Sequence, residues 1–272
     1  MKATINHIDV DYLVHGNKGP WIILSHSLGC TKAMWEPQIE MLEKSFRVIT
    51  YDTRGHGGSG SAGGQYTLDL LADDALGLLD YLGVEKVHWL GFSMGGMIGQ
   101  TFALRYPERL ASIVLADTTS AHTATPVSMW EERIRIAKTQ GMDPLVQPAI
   151  NRWFTETFRN SSPNVVEPVA SMIRSTSVDG WAGCCAAIAS IHTTDRLKEI
   201  ECPAMVIVGE FDVGTPLSAA LEMHNNLKQS VLVLISNAAH MTNIEQPAQF
   251  NRALELFYNT FKQSDTVAQK GM

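Results

Sequence analysis

Short, solidly apolar runs recur at residues 21–25, 47–51, 86–91, 112–116, 204–209 and 230–235. They are rich in β-branched side chains and do not alternate with polar positions, which predicts strands buried on both faces. Helical patterns lie between them, 97–106 being the clearest, so the alternation predicts a mostly parallel sheet flanked by helices. Between about 118 and 194 the alternation stops. The segment instead reads as helices over 129–139, 145–158 and 165–175, rich in Trp, Met, Ile and Phe. The expected organisation is a sheet domain from 1–118 and 195–265, a helical cap over 119–194, and a polar tail, 266–272, that frays. A cap over the strand ends would exclude water and shape a pocket.

Composition narrows the function classes. A chain of 272 residues that is 45% hydrophobic can bury one sizeable core. Twenty-one basic against 28 acidic residues give a formal charge of −7, with the basic residues scattered. That argues against nucleic acid or an anionic membrane surface as a partner. No stretch matches a signal peptide or the roughly 20 apolar residues of a membrane span, so a cytoplasmic protein is expected. The four cysteines lack the spacing of a zinc site or a redox pair, and the adjacent Cys184 and Cys185 are expected as free thiols.

The chemistry sits at the strand ends. Gly91-Phe92-Ser93-Met94-Gly95 directly follows one apolar run and directly precedes a helical one. A turn of this pattern between strand and helix lifts the serine hydroxyl out of the sheet and aims a helix N-terminus at developing negative charge. A serine needs a base, and the base needs a group to fix its tautomer. His240, just past the last run, supplies the base. Asp212, just past the preceding run, is the preferred acid because Thr215-Pro216 begins a helix and leaves the aspartate in the loop. Glu210 and Asp117 are the competing acids. His7, His15, His88, His122 and His192 read as core or surface residues, and His56 as part of a structural turn.

Acyl transfer also requires preorganised donors for an oxyanion. The N–H of Met94 and the N–H of Leu28, in the loop Ser25-His26-Ser27-Leu28-Gly29, are assigned that role. His26 and Ser27 read equally well as packing for that loop. Ser27, Trp130, Arg133, Trp153 and Met241 are the candidate pocket residues. Arg135, Arg152 and Arg174 are further cap cations that would suit a carboxylate. No metal or organic cofactor is implied.

Together these motifs resemble the α/β-hydrolase superfamily across nearly the whole chain. More narrowly, the chain resembles the 3-oxoadipate enol-lactonases, which open a small unsaturated lactone. The likeness rests on Ser27-Leu28-Gly29 with Met34-Trp35, Tyr51-Asp52-Thr53-Arg54-Gly55-His56-Gly57, Ser93-Met94-Gly95-Gly96-Met97, Arg152-Trp153-Phe154-Thr155, and Ala239-His240 followed by Asn243-Ile244-Glu245-Gln246-Pro247. It implies the α/β-hydrolase fold with a helical cap inserted after the sixth strand, and triad roles for Ser93, Asp212 and His240. The expected activity is hydrolysis of a small ester or lactone, lactone favoured. Acyl-homoserine lactonases and broad carboxylesterases share the skeleton, as do carbon–carbon bond hydrolases and small-lactone receptors more distantly. The oligomeric state is left open.

Overall fold

The computed structural model describes residues 1–121 and 127–270. Eight strands form one sheet: β1 (Lys2–Ile5), β2 (Ile8–His15), β3 (Trp21–Ser25), β4 (Arg47–Tyr51), β5 (Val87–Phe92), β6 (Leu110–Ala116), β7 (Ala204–Gly209) and β8 (Ser230–Ile235). Their spatial order is β1-β2-β4-β3-β5-β6-β7-β8. From β4 to β8 all neighbours are parallel, and β2, antiparallel to both β1 and β4, alone runs against the rest. Strands β5 and β7 are buried along their whole length, as unalternating apolar sequence requires in a sheet covered on both faces. Four runs read from the sequence coincide with strands, and the other two differ by one or two residues at an end.

The β1–β2 hairpin was not among the expected strands. Its residues alternate exposed and buried, the pattern of an edge pair with one wet face. Asn6 and His7 make the turn with positive φ (45° and 66°).

Register brings the chemical loops to one edge. Ser25 pairs with Gly91, Phe92 with Ala116, and Gly209 with Ile235, so the chain leaves β3, β5, β6, β7 and β8 at the same side of the sheet. This carboxyl edge is where parallel sheets bind their ligands. Helices α1 (Glu36–Leu42), α2 (Leu68–Tyr81) and α3 (Met94–Arg105) connect the first half of the sheet.

Among the described residues, five α-helices lie between β6 and β7, α4 (Val127–Gln140), α5 (Asp143–Trp153), α6 (Glu156–Ser161), α7 (Pro163–Ser175) and α8 (Val178–Ala189), followed by a 3₁₀ helix, Thr194–Glu199. The expected single helix over 145–158 divides at Phe154-Thr155. Thr155 leaves helical geometry and caps α6 by accepting the Phe158 N–H, a side-chain use that competes with helix continuation. Helix α8 seats on the sheet domain backbone against backbone: a Cβ on Gly180 would lie 2.3 Å from Gly55 Cα. Helices α9 (Leu217–Asn226), α10 (Thr242–Glu245) and α11 (Pro247–Lys270) complete the chain. The backbone of α11 crosses most of the stretch expected to fray, since Gly271 is the first helix breaker after Pro247. All four cysteines are free. Among the described residues, no helix is long and apolar enough to cross a membrane.

Candidate active site

Ser93 occupies the tight turn between β5 and α3, with φ 52° and ψ −112°. A non-glycine residue persists in such a conformation only where its surroundings over-determine it. Here Ser93 N–H donates to Ala116 O at 2.8 Å, and Thr118 Oγ1 donates to Ser93 O at 2.7 Å. The flanking glycines are obligatory. A Cβ on Gly91 would lie 2.3 Å from Gly95 O, and one on Gly95 would lie 2.0 Å from Ser25 O.

The loops after β7 and β8 deliver the two partners. Ser93 Oγ lies 3.0 Å from His240 Nε2, and His240 Nδ1 lies 2.7 Å from Asp212 Oδ2. The imidazole is held between rings, with Phe92 at 5.7 Å edge-on and Trp153 at 6.1 Å. Asp212 is buried, and burial alone would raise its pKa. The neighbouring His240 and the donors of Thr215 outweigh that and hold it below the usual carboxylate value. Asp212 accepts from the Thr215 N–H at 3.0 Å, the Thr215 hydroxyl at 2.6 Å and the Gly214 N–H at 2.8 Å. The competitor Glu210 is exposed and accepts the Asn237 N–H at 2.9 Å. Asp117 is buried beside Asp212.

Asp117, Asp212 and His240 bring one ligating atom each within 4.8 Å of one another, the one such group among the described residues. Both ring nitrogens of His240 are already engaged, Nδ1 by Asp212 and Nε2 by Ser93.

A cavity of about 360 Å³ opens over Ser93. Ser27, Leu28, Trp130, Arg133 and Trp153 line it, together with Arg152. Met241 was expected in its wall and is instead fully buried in the core. Its N–H donates to Trp153 O at 2.9 Å, and the chain turns into α10 there, which points the side chain inward. Met94 opens α3, so its N–H lies in the first helical turn and has no intrahelical acceptor. The Leu28 N–H likewise has no acceptor among the described residues.

Away from Ser93, Asp212 and His240 the wall is mostly apolar, with Ser27, Thr119, Thr215 and the two cations as exceptions. Burial and the neighbouring Arg133 press the Arg152 guanidinium down to about 10, still charged at neutral pH, and burial also lowers Arg133. Neither has an ion-pair partner among the described residues, whereas Arg135 is tied to Glu132 and Arg174 to Asp143 and Glu167 on the surface. Arg133 also sits 4.9 Å over the Trp130 ring.

Comparison with known proteins gives this geometry its relatives. A model of the alpha/beta hydrolase fold family matches residues 20–247. The chain belongs to that family. This hydrolase is 35% identical to 3-oxoadipate enol-lactonase 2 of Acinetobacter baylyi, over 95% of this chain and 96% of the relative. The enol-lactonase of Burkholderia xenovorans LB400 superposes with a TM-score of 0.92 at 32% identity, covering 95% of this chain and all of that one. A malate-bound thermophilic esterase of Thermogutta terrifontis gives 0.89 at 31% identity, covering 96% and 98%.

Proposed function

We propose that this hydrolase opens a small lactone, or cleaves a small ester, that carries a carboxylate, by way of an acyl-enzyme on Ser93. The observation that carries the reading is the continuous relay Ser93–His240–Asp212, at 3.0 and 2.7 Å, facing a cavity whose wall holds two arginines without an ion-pair partner among the described residues. The enol-lactonase relatives support the lactone, and the malate held by the similar esterase supports the carboxylate.

In the first half-reaction the Ser93 hydroxyl gives its proton to His240 Nε2 as Oγ attacks the carbonyl carbon. The oxyanion forms between the N–H groups of Leu28 and Met94. Asp212 keeps the imidazole proton on Nδ1 and stabilises the imidazolium. Collapse breaks the ester C–O bond, and His240 returns its proton to the leaving oxygen, which stays tethered to the acyl group when the substrate is a lactone. A water then gives a proton to His240 as its oxygen attacks the acyl carbon; collapse breaks the bond to Ser93 Oγ, His240 returns the proton to Oγ, and the carboxylic acid leaves. The donors of Thr215 keep Asp212 ionised throughout. The substrate carboxylate pairs with Arg133 and Arg152 on the cap. A cytoplasmic site of action agrees with the four free thiols.

Hydrolysis of the 3-oxoadipate enol-lactone, p-nitrophenyl esters and acyl-homoserine lactones, each also measured with Ser93→Ala, tests the reading. Preference for the carboxylate-bearing lactone, with a loss of about 10⁴-fold or more in the variant, is expected. Retained turnover in Ser93→Ala would sink the acyl-enzyme, and preference for long neutral acyl chains would sink the carboxylate.

A further inference from the structure

The Leu28 N–H can serve an oxyanion only if the Ser27–Leu28 peptide plane is fixed, because the loop that carries it has no regular secondary structure. Two buried histidines outside the relay meet this loop. The Ser27 carbonyl belongs to the same peptide unit as the Leu28 N–H, and a trans peptide points the two in opposite directions. His26 Nδ1 lies 2.7 Å from Ser27 O, and the Cys30 N–H reaches the same oxygen at 3.1 Å. The other nitrogen of His26, Nε2, accepts the Thr53 N–H at 2.8 Å, tying the loop to the exit of β4.

The next peptide is held by the second ring. His56 Nε2 accepts the Gly29 N–H at 2.9 Å, and its Nδ1 faces Arg54 O at 3.2 Å. The peptide after that, Gly29–Cys30, is met by the cap, where Thr176 donates to Gly29 O at 3.4 Å. These bonds fix the tautomers. Each Nε2 accepts from a backbone N–H and must be bare, and each Nδ1 faces a carbonyl and must carry the proton. The two rings lie 5.2 Å apart, both buried.

We propose that His26 and His56 are positioning residues for the oxyanion site. His26 holds the Ser27–Leu28 peptide so that its N–H points into the cavity, and His56 fixes the peptide that follows. A hydrogen bond to Ser27 O also polarises the Leu28 N–H on the far side of the same amide, which makes it a better donor. The reading rests on the acyl-enzyme proposal, and Ser93→Ala tests that separately.

The experiment compares His26→Leu with His26→Asn, whose amide nitrogen falls near the position of Nδ1, and His56→Leu with His56→Gln, whose carbonyl oxygen falls near Nε2. For each, kcat, KM, the affinity of a boronic acid that adds to Ser93, and the affinity of the product acid are measured. Loss of one oxyanion donor costs about 10²–10³-fold in kcat. His26→Leu is expected to lose kcat and boronate affinity on that scale, with KM and product affinity within a few-fold, and His26→Asn to recover at least a tenth of the wild-type rate. His56→Leu is expected to lose less, and His56→Gln to recover it. Equal losses of boronate and product affinity, a lowered melting temperature with kcat unchanged, or amide variants no better than leucine would overturn the proposal. If the leucine variants do not fold, ¹⁵N NMR of the wild-type imidazoles decides. Protons on Nδ1 of both rings are expected at the pH of the assay, and a proton on Nε2 of either overturns it.

Discussion

Asp117 and Asp212 stand at the ends of adjacent strands with a carboxyl oxygen of each within 4.8 Å, both buried and both beside His240. Two carboxylates so close and so dry do not both ionise. Asp212 has three donors from Gly214 and Thr215 besides the imidazole. Asp117 has the Gly209 N–H at 2.9 Å and a bond shared with the Thr242 hydroxyl. Burial first, and the charge of Asp212 second, push Asp117 well above the ordinary 3.8. The negative charge therefore stays on Asp212, and of the two Asp117 holds a proton more readily.

An Asp117→Asn substitution reproduces the neutral acid, with its oxygen toward Gly209 and its amide toward Thr242. Because the folded pKa is raised, the native state binds a proton that the unfolded state has released, and stability falls as pH climbs from the ordinary value toward the folded one. The variant lacks that penalty. Its melting temperature should match or exceed wild type at neutral pH, with the difference growing as pH rises above the ordinary carboxylate value and hydrolysis within a few-fold. A variant that became less stable with rising pH would show that Asp117 is ionised.

Arg133 and Arg152 call for a different comparison. A hydrogen bond to a charged group is worth about 1.5–3 kcal/mol, or roughly 10–100-fold in binding. Arg152→Gln should raise KM by that factor for a carboxylate-bearing lactone or ester and leave the corresponding neutral methyl ester within a few-fold. Arg174→Gln should change neither, since that side chain is paired with Asp143 and Glu167 at the surface. Paired kcat/KM values on the two substrates check it, and equal losses on both would mean that Arg152 supports the cap rather than the substrate.

The sheet and the loops that bring Ser93, Asp212 and His240 together were legible because their signals are local. An unbroken apolar run specifies a two-faced strand, and a glycine-flanked serine between strand and helix specifies an elbow. His240 and Asp212 needed only their places after the last two runs. The β1–β2 hairpin was equally local, since Lys2–Ile5 alternates exposed and buried positions, but four residues of alternation are a weak signal. What sequence could not supply were the choices made by distant packing. Arg133, Arg135, Arg152 and Arg174 look alike in the chain, and only the fold puts Arg133 and Arg152 in the cavity wall and pairs Arg135 and Arg174 at the surface. His26 and His56 lie 30 positions apart, and nothing in the spacing says that their rings meet over one loop. Met241 adjoins His240 in sequence, yet the turn into α10 carries it to the opposite side.

The seat of the cap is the last place where distant packing can be tested. Gly55 and Gly180 approach so closely that a Cβ on either would lie 2.3 Å from the other's Cα. Gly55 also has φ +77°, so a side chain there is strained in any case, whereas Gly180 lies inside α8 and is opposed only by the contact. Gly180→Ala is therefore the cleaner probe. Alanine favours the helix by about 1 kcal/mol over glycine, so an isolated α8 would gain. The clash with the Gly55 backbone, which cannot swing aside like a side chain, acts against it on a scale of about 1–3 kcal/mol. Trp181 and Ile173 from the cap pack over Gly29, so displacing α8 should loosen the cavity roof as well. The expected result is a melting temperature several degrees lower and a raised KM. Gly63→Ala, where a Cβ would meet nothing within 4 Å, should leave both unchanged. If Gly180→Ala instead stabilised the protein through helix propensity with KM unaltered, the cap would not be seated through this glycine pair.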